Sequence, residues 1–429
     1  SYSLLALILT WLASVLPAYL VASRELHDEA AHLLLPKPPV KGSKILLEKV
    51  GFIWRRMSFT YKVTARNIFR YKQRMLMTIF GVAGSVALLF AGLGIQSSVA
   101  GVPSRQFEQI QQYQLLLAEN NSATKQEKAS LEEMLKGPDI KAYQKIYSKN
   151  VDKDFKGKIG LQTVTLMMTD KEDLAPFIHL QEGQKELQLK DGAVITAKLA
   201  QLAGIKIGQS LELDGKKIEV AAITENYVGH FIYMNQRSYQ KIYGQLPERN
   251  TYLVSLQDPS QTSVEKQAGL IMNQAAVASV FQNASASRLF DSVASSLNQT
   301  MTILVLVSVL LAIVILYNLT NINVNERIRE LSTIKVLGFH NKEVTFYIYR
   351  ETMVLSLVGI ILGLVSGFYL HQFLIQMISP ATILFYPQVA WEVYALPIGA
   401  VLLILILLGF FVNHHLRKVD MLEALKSVE

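Results

Sequence analysis

Five long apolar runs divide the chain, at residues 4–21, 75–95, 301–317, 352–373 and 393–412, and none contains Asp, Glu, Lys or Arg. A helix needs about 20 apolar residues to cross a hydrocarbon layer, and helices of soluble proteins seldom run this far without a charge. The pattern therefore predicts membrane-spanning helices. Residues 98–298, between the second and third runs, read differently. Short strand-like stretches recur at 161–168, 192–195, 210–213, 217–224, 231–234 and 251–255, with Asp214-Gly215 as a hairpin turn between two of them. A short helix is expected between Ala197 and Ile207, stopped by Gly204, and the flanking segments 103–135 and 263–298 read as helical. The expected fold is an α-helical membrane protein with a large extracellular α/β domain and about five transmembrane helices.

Charge orients these elements. Only 18% of residues are charged, against about 25% in ordinary soluble domains. Residues 24–74 hold 12 Lys/Arg and 4 Asp/Glu, residues 98–298 hold 22 of each, and the whole net charge of +8 sits in the first of these. Basic loops stay in the cytoplasm. A basic patch can also mean nucleic acid, but apolar runs flank this one, and a nucleic-acid partner is not expected. Counting outward gives residues 1–22 as a transmembrane helix, 23–74 as a basic cytoplasmic linker and 75–97 as the next span. The outer domain follows at 98–298, then a span at 299–322, a cytoplasmic segment at 323–345 and a span at 346–377. An outer loop at 378–391, a last span at 392–413 and a cytoplasmic tail at 414–429 complete the order. The first helix would then enter from outside, as the end of a preceding half, and the basic exits at 22–33 and 415–426 form a weak repeat. An amphipathic helix at 47–59 is expected to lie on anionic lipid, and Tyr347, Tyr349, Tyr369, Tyr386 and Trp391 fit an interfacial belt.

The chemistry is sparse. There is no cysteine, which excludes disulfides and Cys-based zinc sites. His179 and His230 stand alone, and Asp170, Glu172 and Asp173 read as a solvated turn. No catalytic constellation and no metal site is expected; Gly-x-Ser-x-Gly and His-Glu-x-x-His are both missing. Arg350 and Glu351 are placed as an interfacial pair at the inner end of the fourth span, and His371 has no role.

The informative stretch runs from Asn325 to His340. Ile328, Leu331, Ile334 and Leu337 recur at intervals of three, while Glu326, Arg327, Arg329, Glu330 and Lys335 face elsewhere, and Gly338 can end the helix in the left-handed conformation. A charged amphipathic helix at a membrane exit suits the membrane surface or a partner's groove. This stretch resembles the signature of FtsX-like permeases of ABC transporters. Gly359, Gly363 and Gly367, a small-xxx-small face for helix packing, and the tail 416–425 are similar as well. Residues 192–224 resemble the MacB-like extracellular domain of that family, and 33–42 resemble the linker of long Gram-positive permeases built from two halves.

The resemblance implies a non-catalytic permease subunit at the plasma membrane, the C-terminal half of such a chain. ATP and Mg would be bound by a partner, an ABC ATP-binding subunit; this chain has no Gly-x-x-x-x-Gly-Lys-Ser/Thr loop and would carry no cofactor. Glu326, Arg329, Glu330, Leu331, Ile334, Lys335 and Gly338 would be the ATPase-coupling residues. The other partners implied are a first permease half or a second permease copy, membrane lipids and an extracellular protein. Mechanotransmission, export or extraction at the cell surface is the implied activity. The other readings are a sensor or scaffold whose outer domain binds without transport, and a membrane-anchored envelope enzyme.

Overall fold

A computed structural model describes residues 51–155, 160–170, 174–183, 185–385 and 389–418, with scattered positions before residue 49. The expected first span, the linker at 33–42, Glu172, Asp173, Tyr386 and the tail beyond Lys418 fall wholly or mostly outside the described residues. The chain divides into two units, Ser1–Lys72 and Gln73–Glu429.

In the first unit, α1 (Gly51–Arg56) and α2 (Phe59–Arg70) replace the single helix expected at 47–59. Ser58 is extended (φ −63°, ψ 159°), so the helix stops and restarts there. The basic residues ride on the aromatic ones: the Arg56 guanidinium lies 4.4 Å from the Phe52 ring centre.

In the second unit, α3 (Lys72–Ala100) passes through a turn at Val102–Ser104 and Arg105–Ile110 into the outer domain. The domain runs β1 (Leu115–Glu119), α4 (Lys125–Met134), β2 (Ile140–Phe155), β3 (Gly160–Thr169), β4 (Gln181–Glu182), β5 (Lys185–Glu186), β6 (Ala193–Thr196) and α5 (Ala197–Ala203). It continues with β7 (Ser210–Leu213), β8 (Lys216–Thr224), β9 (His230–Asn235), α6 (Gln236–Tyr243), β10 (Thr251–Leu256), α7 (Gln261–Met272) and β11 (Val277–Gln282). The membrane helices α8 (Asn283–Glu326), α10 (Asn341–Ile378) and α11 (Glu392–Lys418) close the chain, with the short α9 (Ile328–Val336) between the first two. Among the described residues, four helices are long and apolar enough to cross a membrane.

Nine strands form one sheet in the order β11-β1-β10-β2-β3-β9-β6-β8-β7. The long β2 makes this possible: its first half pairs with β10 and its second half with β3. Strand alternation then sends neighbouring residues to opposite faces. Leu115 and Leu117 pack with Leu131 of α4 and Ile271 of α7, and Leu166 and Ile232 pack with Leu199 of α5. On the opposite face, Met167, Tyr233 and Leu253 join Ile95 and Val99 of α3 and Ile375 of α10. The sheet thus rests on the outer ends of three membrane helices, α3, α8 and α10.

Two expected helical segments contain strands instead. Within 103–135 lies β1, and within 263–298 the helix stops at Met272 and β11 intervenes before α8. In β1, Glu119 is 7% exposed and meets Lys128 Nζ of α4 at 2.9 Å and Lys145 Nζ of β2 at 2.8 Å. Burial pushes its carboxyl up, but the hydrogen bonds and charges of Lys145 and Lys128 outweigh this and hold it below the usual carboxylate range. Because the folded-state value is lowered, its contribution is full above the ordinary carboxylate range and is lost as pH falls through the lowered value. Glu119→Gln is expected to cost about 2 kcal/mol at neutral pH. That difference should shrink in melts run at progressively lower pH; a gap that stays constant would refute the assignment.

Candidate functional site

The cytoplasmic end of the bundle is built around the turn between α8 and α10. At Arg327 (φ −108°, ψ 10°) the helical path breaks, which separates α8 from α9. Glu326 is therefore the last residue of α8 and does not belong to the short helix. Leu331 is fully buried and packs with Val324, Val344 and Ile348, and Ile334 is half-buried beside them. Burying such a side chain stabilises its seat by about 1.5–3 kcal/mol, enough to hold a nine-residue helix that could not persist alone. The C-terminus closes by paired backbone bonds, Gly338 N–H to Lys335 O (3.0 Å) and Phe339 N–H to Ile334 O (3.4 Å). This Schellman arrangement needs a left-handed residue, and Gly338 has φ +96°.

Leu331 thus faces this chain's own core. The apolar stripe also splits. Leu337 caps the helix and is 73% exposed, next to Val336 and Phe339, which are exposed too. Leu337 belongs to the apolar stripe read from the sequence; Val336 and Phe339 do not, although the run Val336-Leu337-Gly338-Phe339 carries the signal. Lys335 is half-buried and Gly338 is exposed. The side chains of Glu326, Arg329 and Glu330 lie outside the described residues.

Behind the turn sits a buried carboxylate. Glu351 Oε1 accepts a hydrogen bond from Arg74 Nη2 of α3 at 2.8 Å. Its Oε2 lies 2.8 Å from Arg327 Nη2, an ionic contact without an aligned N–H. Side-chain exposures are 3% for Glu351, 11% for Arg74 and 5% for Arg327. The expected Arg350–Glu351 pair is replaced by this triad, since adjacent residues on a helix point in different directions. Close by, Asn323 Nδ2 approaches Thr352 Oγ1 at 3.4 Å, both residues buried. The triad ties the start of α3, the break before α9 and the inner end of α10.

From there α3 and α10 run outward side by side. A β-carbon on Gly359 would lie 2.8 Å from Val82 Cβ, one on Gly363 2.6 Å from Val86 Cβ, and one on Gly367 2.7 Å from Phe90 Cβ. Contacting residues advance by four on each helix in the same direction, so the ridge of α3 fills the glycine groove of α10. On its other side α3 lays Gly81 against Ile315 and Gly92 against Val305 of α8, in the antiparallel sense. Near the outer end of this seam, His371 is fully buried, and its Nε2 lies 3.0 Å from Ser98 Oγ.

The outer ends are locked to the domain. Just beyond α10, Gly229 N–H donates to Thr382 O and Leu384 N–H to Tyr227 O, both at 2.8 Å. The buried Gln106, in the turn after α3, accepts from Tyr227 N–H (2.7 Å) and donates to Asn226 Oδ1 (2.9 Å). The loop before β9 is thereby fixed to both helices. Glycine 229, at φ +83°, allows that loop its turn. His230 is buried without a hydrogen-bond partner among the described residues, and no group of three or more His, Asp or Glu there could hold a metal.

Comparison with known proteins follows this division. Residues 302–420 match the family described as FtsX-like permease C-terminal, and residues 75–269 match the MacB-like periplasmic core domain. No curated protein matches. Similar solved structures include the periplasmic region of MacB from Actinobacillus actinomycetemcomitans, 9% identical, covering 42% of this chain and 94% of that one, with a TM-score of 0.26. The extracellular domain of the ABC-type transporter YknZ from Gram-positive bacteria is 13% identical and covers 40% of this chain and 99% of that one, with a TM-score of 0.25.

Proposed function

The chain joins a MacB-like core domain to an FtsX-like permease C-terminal domain and is a membrane-embedded permease of that ABC-transporter family, and from this premise we propose that its turn at 327–340 seats a separate ATP-hydrolysing subunit. One observation carries the reading: α9 is anchored from behind by Leu331 and the Arg74–Glu351–Arg327 triad while Val336, Leu337 and Phe339 stand exposed on its far side. A helix held rigidly at its back and apolar at its tip is suited to a partner's groove.

In this reading ATP and Mg belong to the partner, and the chain itself catalyses nothing. Closure of the ATPase displaces α9, the triad passes the displacement to α3 and α10, and the sheet resting on those helices moves with them. The permease therefore does mechanical work on the outer side, whether export, extraction or control of another protein. A second permease half completes the assembly. Ile303, Val307, Leu310 and Val314 of α8 recur at alternating spacings of four and three and are all exposed, which suits such a neighbour.

The test is co-purification of the detergent-solubilised chain with the ABC ATPases of its source organism. Leu337→Asp combined with Phe339→Asp is expected to reduce the captured ATPase at least about tenfold, because each would put an unpaired carboxylate into the contact. Melting should be unchanged, since exposed substitutions usually alter stability by less than about 0.5 kcal/mol. Equal capture by wild type and variant would remove the docking reading and favour a sensor or scaffold.

A further inference from the structure

Between the β7–β8 side of the outer domain and the outer end of α10 lies an open cavity of about 1000 Å³. Phe155, Leu202 and Leu211 give it an apolar wall, and Lys198, Gln376 and Ser379 give it a polar floor on the membrane side. Lys198 is only 7% exposed, and its Nζ donates to Ser379 Oγ at 3.0 Å. That hydroxyl is itself engaged with Ile383 O at 2.6 Å. Among the described residues, no carboxylate forms an ion pair with Lys198. Asp154 and Glu212 also line the cavity, but both are exposed.

A cation removed from water without an anion is costly. Burial alone pushes the Lys198 ammonium below the usual lysine range. The adjacent His230, 1% exposed, is held down first by burial and then by the charge of Lys198. The floor of the cavity therefore carries uncompensated positive charge beside space large enough for a ligand.

Its height along α10 says where a ligand would come from. Tyr369, Phe373 and Met377 are exposed on the last turns of α10, and Trp391 is exposed just before α11. Aromatic residues of this kind mark the headgroup layer. Gln376 lies about 10 Å along the helix from Tyr369, so the cavity opens at or just above lipid headgroups.

We infer that this cavity binds the anionic end of a membrane amphiphile, a phosphate- or carboxylate-ended lipid whose charged group meets Lys198 Nζ while its first methylene groups lie against Phe155, Leu202 and Leu211. The site straddles the domain and the 379–385 segment bonded to it, so an occupant would bridge the two. The inference does not depend on an ATPase docking at the cytoplasmic turn, and its test requires none.

The full chain, purified in neutral detergent, is titrated by calorimetry with dioctanoyl phosphatidic acid, with dioctanoylglycerol, which has the same chains and no phosphate, and with inorganic phosphate. Phosphatidic acid is expected to bind saturably, dioctanoylglycerol at least about tenfold more weakly, and Lys198→Met to lose at least about tenfold in affinity for phosphatidic acid, the range of one hydrogen bond to a charged group. Lys198→Gln, which retains a donor for Ser379 but no charge, should lose affinity similarly. In the absence of lipid, Lys198→Met should melt at or above the wild-type temperature, since it removes an unpaired buried charge. If phosphatidic acid binds and inorganic phosphate competes only weakly, the ligand is the lipid. If phosphate alone binds as tightly, the same charge recognition serves a free anion. Equal binding of phosphatidic acid and dioctanoylglycerol, or unchanged binding by both Lys198 variants, overturns the proposal.

Discussion

Replacing Gly363 with leucine is expected to prevent α3 and α10 from closing on each other. Even a single β-carbon there would stand 2.6 Å from Val86 Cβ and 2.9 Å from the carbonyl oxygen of Ala83. The second of these is backbone and cannot swing aside. Overpacking typically costs 1–3 kcal/mol for extra methylenes in a core that can partly relax, and leucine adds three further carbons to a contact already too short. A loss of roughly 3 kcal/mol or more is expected, partly masked by the ~1 kcal/mol that leaving glycine gains in helix propensity. Gly399 of α11 provides the comparison, because a β-carbon there would meet nothing within 4 Å. In detergent, Gly363→Leu should melt well below wild type and Gly399→Leu at or above it. If the two variants melt alike, the glycine seam is not the contact that holds these helices.

The second large effect concerns Glu351. Truncation to alanine removes the carboxylate that Arg74 and Arg327 share, at side chains only 11% and 5% exposed. Breaking a buried ion pair from one side usually costs 3–5 kcal/mol, mostly because the remaining charge stays desolvated, and about that loss is expected of Glu351→Ala. Removing the charges together behaves differently. Glu351→Met with Arg327→Met should cost clearly less than the sum of the single changes, since residues in one network do not add. If an ATPase docks as proposed at Leu337 and Phe339, its stimulation should fall in a folded Glu351→Ala chain while its capture persists, because those two residues are unchanged. A Glu351→Ala chain that melts with the wild type would show that the triad contributes little.

Much of this architecture can be read locally. The Asp214-Gly215 turn takes the positive φ values its hairpin demands, 52° and 70°, and Gly204 ends α5 at φ +66°. The glycine period of α10 is equally visible, because it depends on spacing along one helix. The strand β2 is hidden for a related reason. Lys141, Lys145, Lys149 and Lys153 recur every four residues, which imitates the polar face of a helix, yet in a strand the same period simply returns to one face. The turn at the site misleads more subtly. Leu337 continues the apolar spacing of Ile328, Leu331 and Ile334, but α9 ends at Val336, so the next residue leaves the buried stripe. The triad lies beyond any local pattern, since Arg74 and Glu351 are 277 residues apart in the chain. Nor can a lysine at position 198 be known as buried until the segment after α10 folds over it.

The helix α8 contains neither glycine nor proline over its 44 residues and spans about 66 Å, more than twice the ~30 Å hydrocarbon layer. It is continuous from the end of β11 to the break before α9, so its two ends share one rotational phase. Inserting or deleting a single residue anywhere along it would turn the cytoplasmic tip by about 100° relative to the sheet. Length variation in this rod is therefore tolerable only in steps close to whole turns, near 7 or 11 residues, and the spacing between outer domain and cytoplasmic turn is inherited as a quantised distance.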